Sequence, residues 1–128
     1  MTVTPLYAGL LALWFLVLSY RVVQMRGHGP SLGDGGDATM LRRIRGHGNF
    51  SEYVPLILLM MGMLELSHYS VYILHALGIT LLVARLLHGI SLSFTEKWKF
   101  GRFYGTLLTF IVLLVTGGLC VFQGLRGL

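Results

Sequence analysis

The chain has 128 residues, 55% of them hydrophobic and only 12% charged, with a mean hydropathy of +0.73. A soluble domain carries about 25% charged residues, so this composition excludes an ordinary soluble fold and places the chain in a membrane. The net charge of +5 is no sign of nucleic-acid binding, because most of the basic residues gather in two connections between apolar runs.

Residues 1–20 carry no charged side chain. They read as the start of a first spanning helix from about Pro5 to Arg26, with Pro5 suited to a first turn. No basic segment precedes the run, and "YRVVQM" offers no small-residue cleavage site. A retained helix is therefore expected rather than a signal peptide. "GHGPSLGDGGD" follows, whose Gly, Pro, Ser and Asp content marks a loop. Its two aspartates lack the ordered spacing of a calcium loop, and no metal site is predicted. Asp37 is positioned to cap the next helix.

The second helix is predicted from Ala38 to Leu66, polar in its first turns and apolar after them. "SHYS" makes a short turn. A third helix covers about Val71 to Ser93, in a region where residues 66–84 carry no charge. "FTEKWKFG" then leads into a fourth helix from about Arg102 to Gln123, and residues 103–125 are again uncharged. The fold class is thus an all-α membrane protein, a bundle of four transmembrane helices in one domain spanning residues 1–128. "RGHG" occurs at 26–29 and 45–48, in contexts too different to make a structural repeat.

Five basic residues lie around the first connection and three lie around the last, while "LELSHYSVY" between them has none. By the positive-inside rule both basic connections face the cytoplasm. The lone cysteine, Cys120, excludes an internal disulfide and a multi-cysteine metal site, and within an apolar run it is expected to pack rather than react. Gly78, Ala84, Gly117 and Gly118 are small enough to admit close helix contacts.

The segment "RIRGHGNFSEYVP" puts unusual polarity into an apolar helix. At 100° per residue, Asn49 and Glu52 fall within about 40° of Arg45. Arg42 lies one turn earlier on that side, and Tyr53 is adjacent. On the third helix Arg85 and His88 share another face. An arginine at mid-membrane costs at least about 2.5–3.5 kcal/mol, so these groups must sit near an interface, pair, or line a cavity. One reading is a self-satisfied network, with Arg45 bridged to Glu52 through Asn49 or Arg85 neutralising Glu52. The other is a site for a small zwitterion, with arginines for carboxylates, a glutamate for an amine and an amide for orientation.

"RIRGHGNFSEYVPLILL" followed by "LHALGITLLVARLLHGISL" resembles the MAPEG family, membrane-associated proteins of eicosanoid and glutathione metabolism. The connection "GDGGDATMLRRIRGHGNFSEYVP" looks most like the small bacterial members, and the likeness covers nearly the whole chain. It implies a homotrimer of four-helix subunits in a bacterial plasma (inner) membrane, binding glutathione as co-substrate between neighbouring subunits. By resemblance Arg45, Asn49, Glu52 and Tyr53 would contact glutathione from one subunit, with Arg85 and His88 from the third helix. Arg102, with Lys99 as second choice, matches the arginine that stabilises the thiolate in catalytic members. Leu92 stands where the eicosanoid enzymes often carry tyrosine, so leukotriene or prostaglandin synthesis is not predicted. The resemblance implies instead a glutathione transferase or peroxidase acting on a lipophilic electrophile. The alternative is a non-catalytic module of the same fold that binds a partner protein, or binds lipid as some relatives of the family do without catalysis. A small multidrug exporter would need a carboxylate in its first span, and residues 1–20 have none.

Overall fold

The computed structural model describes residues 1–128 and contains four helices. They are α1 (Val3–Arg26), α2 (Ala38–Leu66), α3 (Val71–Phe94) and α4 (Lys99–Arg126). All four are long and apolar enough to cross a membrane. At 1.5 Å per residue even the shortest reaches about 36 Å, more than a hydrocarbon core of about 30 Å. The second helix has the bounds read from the sequence. The others are longer, most of all α4, which starts three residues earlier and ends three later.

Each start has an identifiable cause. Asp37 caps α2 by accepting from the Thr39 and Met40 amides at 2.8 and 3.1 Å. The Ser70 hydroxyl accepts from the Tyr72 amide at the start of α3. No side chain of its own caps α1. Instead Glu65, in the last turn of α2, accepts from the amides of Thr2, Val3 and Thr4 at 2.9, 2.8 and 2.8 Å. A carboxylate there satisfies orphan donors and meets the positive end of the helix dipole. The α2–α3 turn closes with bonds from the Tyr69 amide to the Leu64 carbonyl and from the His68 amide to that of Glu65. His68 sits between them at φ 63°, in the left-handed region where glycine is the usual choice.

The central pair is α2 and α3, which touch each other and both of the outer helices, whereas α1 and α4 do not meet. Leu11, Leu18, Val54, Ile57, Met61, Leu74 and Leu81 fill the core. Only 29 of the 128 residues are buried, and leucines, valines and phenylalanines dominate the outer surface. That inversion suits a lipid surround, in which apolar side chains have no reason to hide. Several hydroxyls within the spans bond to their own helix, as Thr109 does to the Gly105 carbonyl and Thr116 to that of Val112.

Helix α4 approaches α3 most closely at Gly105, where an added Cβ would lie 2.7 Å from the His88 nitrogen and 2.8 Å from the Ala84 carbonyl oxygen. Gly78 admits the Tyr7 ring, and Ala84 is fully buried beside α4. The other two small residues singled out in the sequence behave differently: Gly117 and Gly118 face open space. The tight contact on α4 belongs to Gly101 and Gly105 instead, because the rotation of the helix turns those two toward α3.

Candidate functional site

On α2 the polar stripe forms as its spacing predicts. Arg45 and Glu52 pair directly, Nη2 to Oε1 at 3.2 Å, with side chains 52% and 50% exposed. They close over Gly48, where an added Cβ would lie in ordinary contact with both, 3.4 Å from Arg45 Nη1 and 3.7 Å from Glu52 Oε1. No bridge through Asn49 is needed. Arg42 does not join them. It reaches Glu96 at 3.8 Å and the Thr39 hydroxyl at 3.2 Å, both toward the ends of the helices.

Behind the stripe lies Arg85, 1% exposed. Its Nη1 donates to Asn49 Oδ1 at 2.8 Å and to Thr109 Oγ1 at 3.4 Å, and its Nη2 stands 3.4 Å from His88 Nδ1. The Phe50 ring lies 5.7 Å from the guanidinium carbon. Arg85 Nε is buried with no partner at all. Glu52 does not neutralise Arg85 by a salt bridge, although Glu52 and Tyr53 are close enough to act on its charge. The polar interior therefore contains a buried cation whose neighbours are an amide, a hydroxyl and an imidazole.

His88, 3% exposed, is also within electrostatic reach of Arg45 and Arg102. Three helices thus bring together Arg45, Asn49, Glu52 and Tyr53 from α2, Arg85 and His88 from α3, and Arg102 from α4. Sequence reasoning missed Thr109 because a threonine in a span ordinarily bonds its own helix, and this one does so while also accepting from Arg85. It also missed Gly48 and Gly105. Leu92 is buried, its Cβ 3.3 Å from where a Cβ on Gly46 would lie, and fills the α2–α3 seam with apolar surface.

Beside this cluster the outer face of α4 carries a groove of about 430 Å³. Phe103, Leu107 and Phe110 supply its apolar wall, and Lys99 and Arg102 its cationic end. Phe110 meets the Tyr53 ring at 5.6 Å, which joins the groove to the stripe. Both basic residues considered for thiolate stabilisation line the same groove. The aspartates of the first connection serve the backbone: Asp34 accepts from the Gly36 amide and Asp37 caps α2. The Cys120 thiol lies 3.7 Å from the Met60 carbonyl oxygen, packed between α4 and α2.

The MAPEG family model matches residues 4–122, nearly the full length of the bundle. The chain is 38% identical over 87 residues to the inner membrane protein YecN of Escherichia coli K12, a match covering 67% of this chain and 66% of the relative. The same protein from E. coli O6:H1 strain CFT073 matches equally. The chain thus spans slightly less than two thirds of the length of the curated relatives it matches. No solved structure matches it. Four membrane-spanning helices, the stripe on α2 and a family match from Thr4 to Phe122 lead to one conclusion: this chain belongs to the MAPEG family.

Proposed function

We propose that this protein binds glutathione within the membrane and transfers it to, or uses it to reduce, a lipophilic electrophile. The observation that carries this reading is the charge imbalance of the cluster. Arg85 is buried without a carboxylate, and the one acid nearby is half-exposed and already paired to Arg45. Such a site favours a ligand that brings more anion than cation, and glutathione brings two carboxylates and one ammonium. On binding, the ammonium would take Glu52, a carboxylate would take Arg45, and the open Arg45–Glu52 pair would be exchanged for two pairs with the ligand. Asn49 and Tyr53 would orient the backbone of the peptide, with Arg85 and His88 behind them.

A free cysteine thiol has a pKa of about 8.5, so the nucleophile must be made. Each unit by which a cation lowers that value corresponds to about 1.36 kcal/mol of preference for the thiolate. Arg102, which lines the groove together with Lys99, would supply that field. The thiol proton leaves to solvent, sulfur bonds to the electrophilic atom held against Phe103, Leu107 and Phe110, and the displaced electron pair departs with the leaving group or takes up a solvent proton. In a peroxide reduction sulfur takes one peroxide oxygen, the alcohol leaves, and a second glutathione displaces that oxygen as water to give the disulfide. Because Arg45 and Glu52 lie on an open lateral face, a second copy of the chain would complete the site, as in a homotrimer. The protein would lie in the bacterial inner membrane, with both basic connections on the cytoplasmic side.

The test is a calorimetric titration of glutathione into the detergent-purified protein, with Arg45→Ala beside it. Saturable binding that disappears in the variant supports the proposal, and no binding at millimolar glutathione overturns it. A second reading rests on the α4 groove itself, whose apolar wall and cationic end also fit a lipid acyl chain with an anionic headgroup. A non-catalytic lipid-binding module would retain copurifying lipid and show neither glutathione binding nor turnover.

A further inference from the structure

Away from the Arg45–Glu52 stripe, the end of α1, the first turns of α2 and the connection between them enclose a second concavity of about 490 Å³. Its lining is polar where the α4 groove is apolar: Arg21, Gln24, His28, Asp37 and Arg43 all face it. Arg21 is held rigidly. Its Nη2 donates to the Ser93 carbonyl at 2.7 Å, its Nε approaches the Ser93 hydroxyl at 3.4 Å, and the guanidinium stacks 4.0 Å above the Phe94 ring. Arg43 Nη1 donates to the Arg21 carbonyl at 2.9 Å, which brings the second guanidinium alongside the first. The two cations lie close enough to repel each other.

No carboxylate forms a salt bridge with either guanidinium. Asp37 is the one acid in the lining, and its carboxylate is engaged by the two amides at the start of α2. Arg43 Nε is buried and has no partner. Neighbouring Arg26 is spent on the Pro30 and Gly33 carbonyls, where it shapes the connection rather than balancing charge. Two guanidinium side chains, an amide and an imidazole around one cavity form a donor set with no free carboxylate to match it. Arginine forks match phosphate oxygens geometrically, and a tetrahedral group can accept from several directions at once.

We propose that this cavity is an anion site for a phosphate group, separate from the glutathione site and built by Arg21, Arg43, Gln24 and His28. The phosphate belongs either to an anionic phospholipid headgroup or to a free phosphate ester. The cavity lies at the ends of α1 and α2, the depth at which headgroups meet a spanning bundle.

Native mass spectrometry of the full detergent-purified chain tests this with phosphatidylglycerol, phosphatidylcholine and inorganic phosphate as probes. Phosphatidylglycerol is expected to be retained about tenfold better than phosphatidylcholine, the worth of one charge-assisted hydrogen bond. Arg43→Gln should erase most of that preference. Asp37→Asn provides a variant that does not depend on damage, since asparagine caps a helix as well as aspartate. It removes the lining's one negative charge and should strengthen retention severalfold. Millimolar inorganic phosphate that displaces the lipid identifies a free phosphate as a competent ligand, and failure to displace it identifies the headgroup. Arg45→Ala should leave the preference unchanged. The proposal is overturned if wild type, Arg43→Gln and Asp37→Asn show the same preference, or if the preference disappears in Arg45→Ala instead.

Discussion

Gly105→Ala separates the packing of α4 from the chemistry attributed to it. The new methyl group would lie 2.7 Å from both the Cβ and the backbone nitrogen of His88, and 2.8 Å from the Ala84 carbonyl oxygen. None of these atoms is the free end of a side chain, so the helices must separate. Reaching an ordinary contact of 3.4 Å requires a shift of about 0.7 Å, and overpacking of this kind costs about 1–3 kcal/mol. The shift moves Arg102 and Thr109 away from His88 and Arg85 but leaves the pairing of Arg45 and Glu52 on α2 untouched.

Two measurements follow from that geometry. Thermal unfolding in detergent should show destabilisation by about 1–3 kcal/mol. The absorbance of bound glutathione thiolate should fall, since each unit by which the thiol pKa rises as Arg102 retreats lowers the thiolate population by up to about tenfold. Glutathione affinity should change much less. Gly118→Ala is the control, because its Cβ would meet nothing within 4 Å, and helix propensity alone favours alanine by about 1 kcal/mol. A Gly105→Ala protein as stable as wild type would refute the close α3–α4 contact. Unchanged thiolate absorbance in a destabilised protein would refute the dependence of the chemistry on the placement of α4.

Glu52→Gln removes the acceptor proposed for the glutathione ammonium and should weaken glutathione binding about tenfold or more in calorimetry. Arg102→Ala should leave that binding largely intact and abolish the thiolate absorbance; full retention would transfer the role to Lys99, which lines the same groove. Glu65→Gln leaves the α1 amides without an anionic acceptor and should cost about 1–2 kcal/mol in thermal unfolding. His68→Gly relieves a side chain held at φ 63° and should stabilise the protein by about 1 kcal/mol, with no effect on glutathione.

Local chemistry was the most legible layer of the sequence. Asp37 marks the start of α2 because its acceptor oxygen sits where unpaired amides begin. The start of α4 lacks such a signal, since no side chain caps it. Its first turn is fixed from another helix, where the Ser91 hydroxyl donates to the Trp98 carbonyl at 2.6 Å. Glu65 reads locally as a charge ending an apolar run, and its role emerges only when the N-terminus of α1 is folded against it. Likewise Gly105 and Gly118 are the same residue in the same helix, and helix rotation alone decides which one meets a neighbour.

The site divides in the same way. The alignment of Arg45 with Glu52 follows from the period of a single helix. Arg85 required a three-helix arrangement. Its three hydrogen-bonding neighbours are Asn49 on α2, His88 on its own helix and Thr109 on α4. Of the two pairings open to Glu52 in the sequence, with Arg45 or with Arg85, the fold takes the one seven residues away on the same helix. The pairing accessible to short-range reasoning thus strands the cation that such reasoning would have satisfied. A membrane interior magnifies the consequence, since a buried guanidinium without a counter-charge is costly unless an anion arrives. On the proposed reading, the cost of burying Arg85 and the anionic character of the ligand have a single origin, the commitment of Glu52 to Arg45 rather than to Arg85.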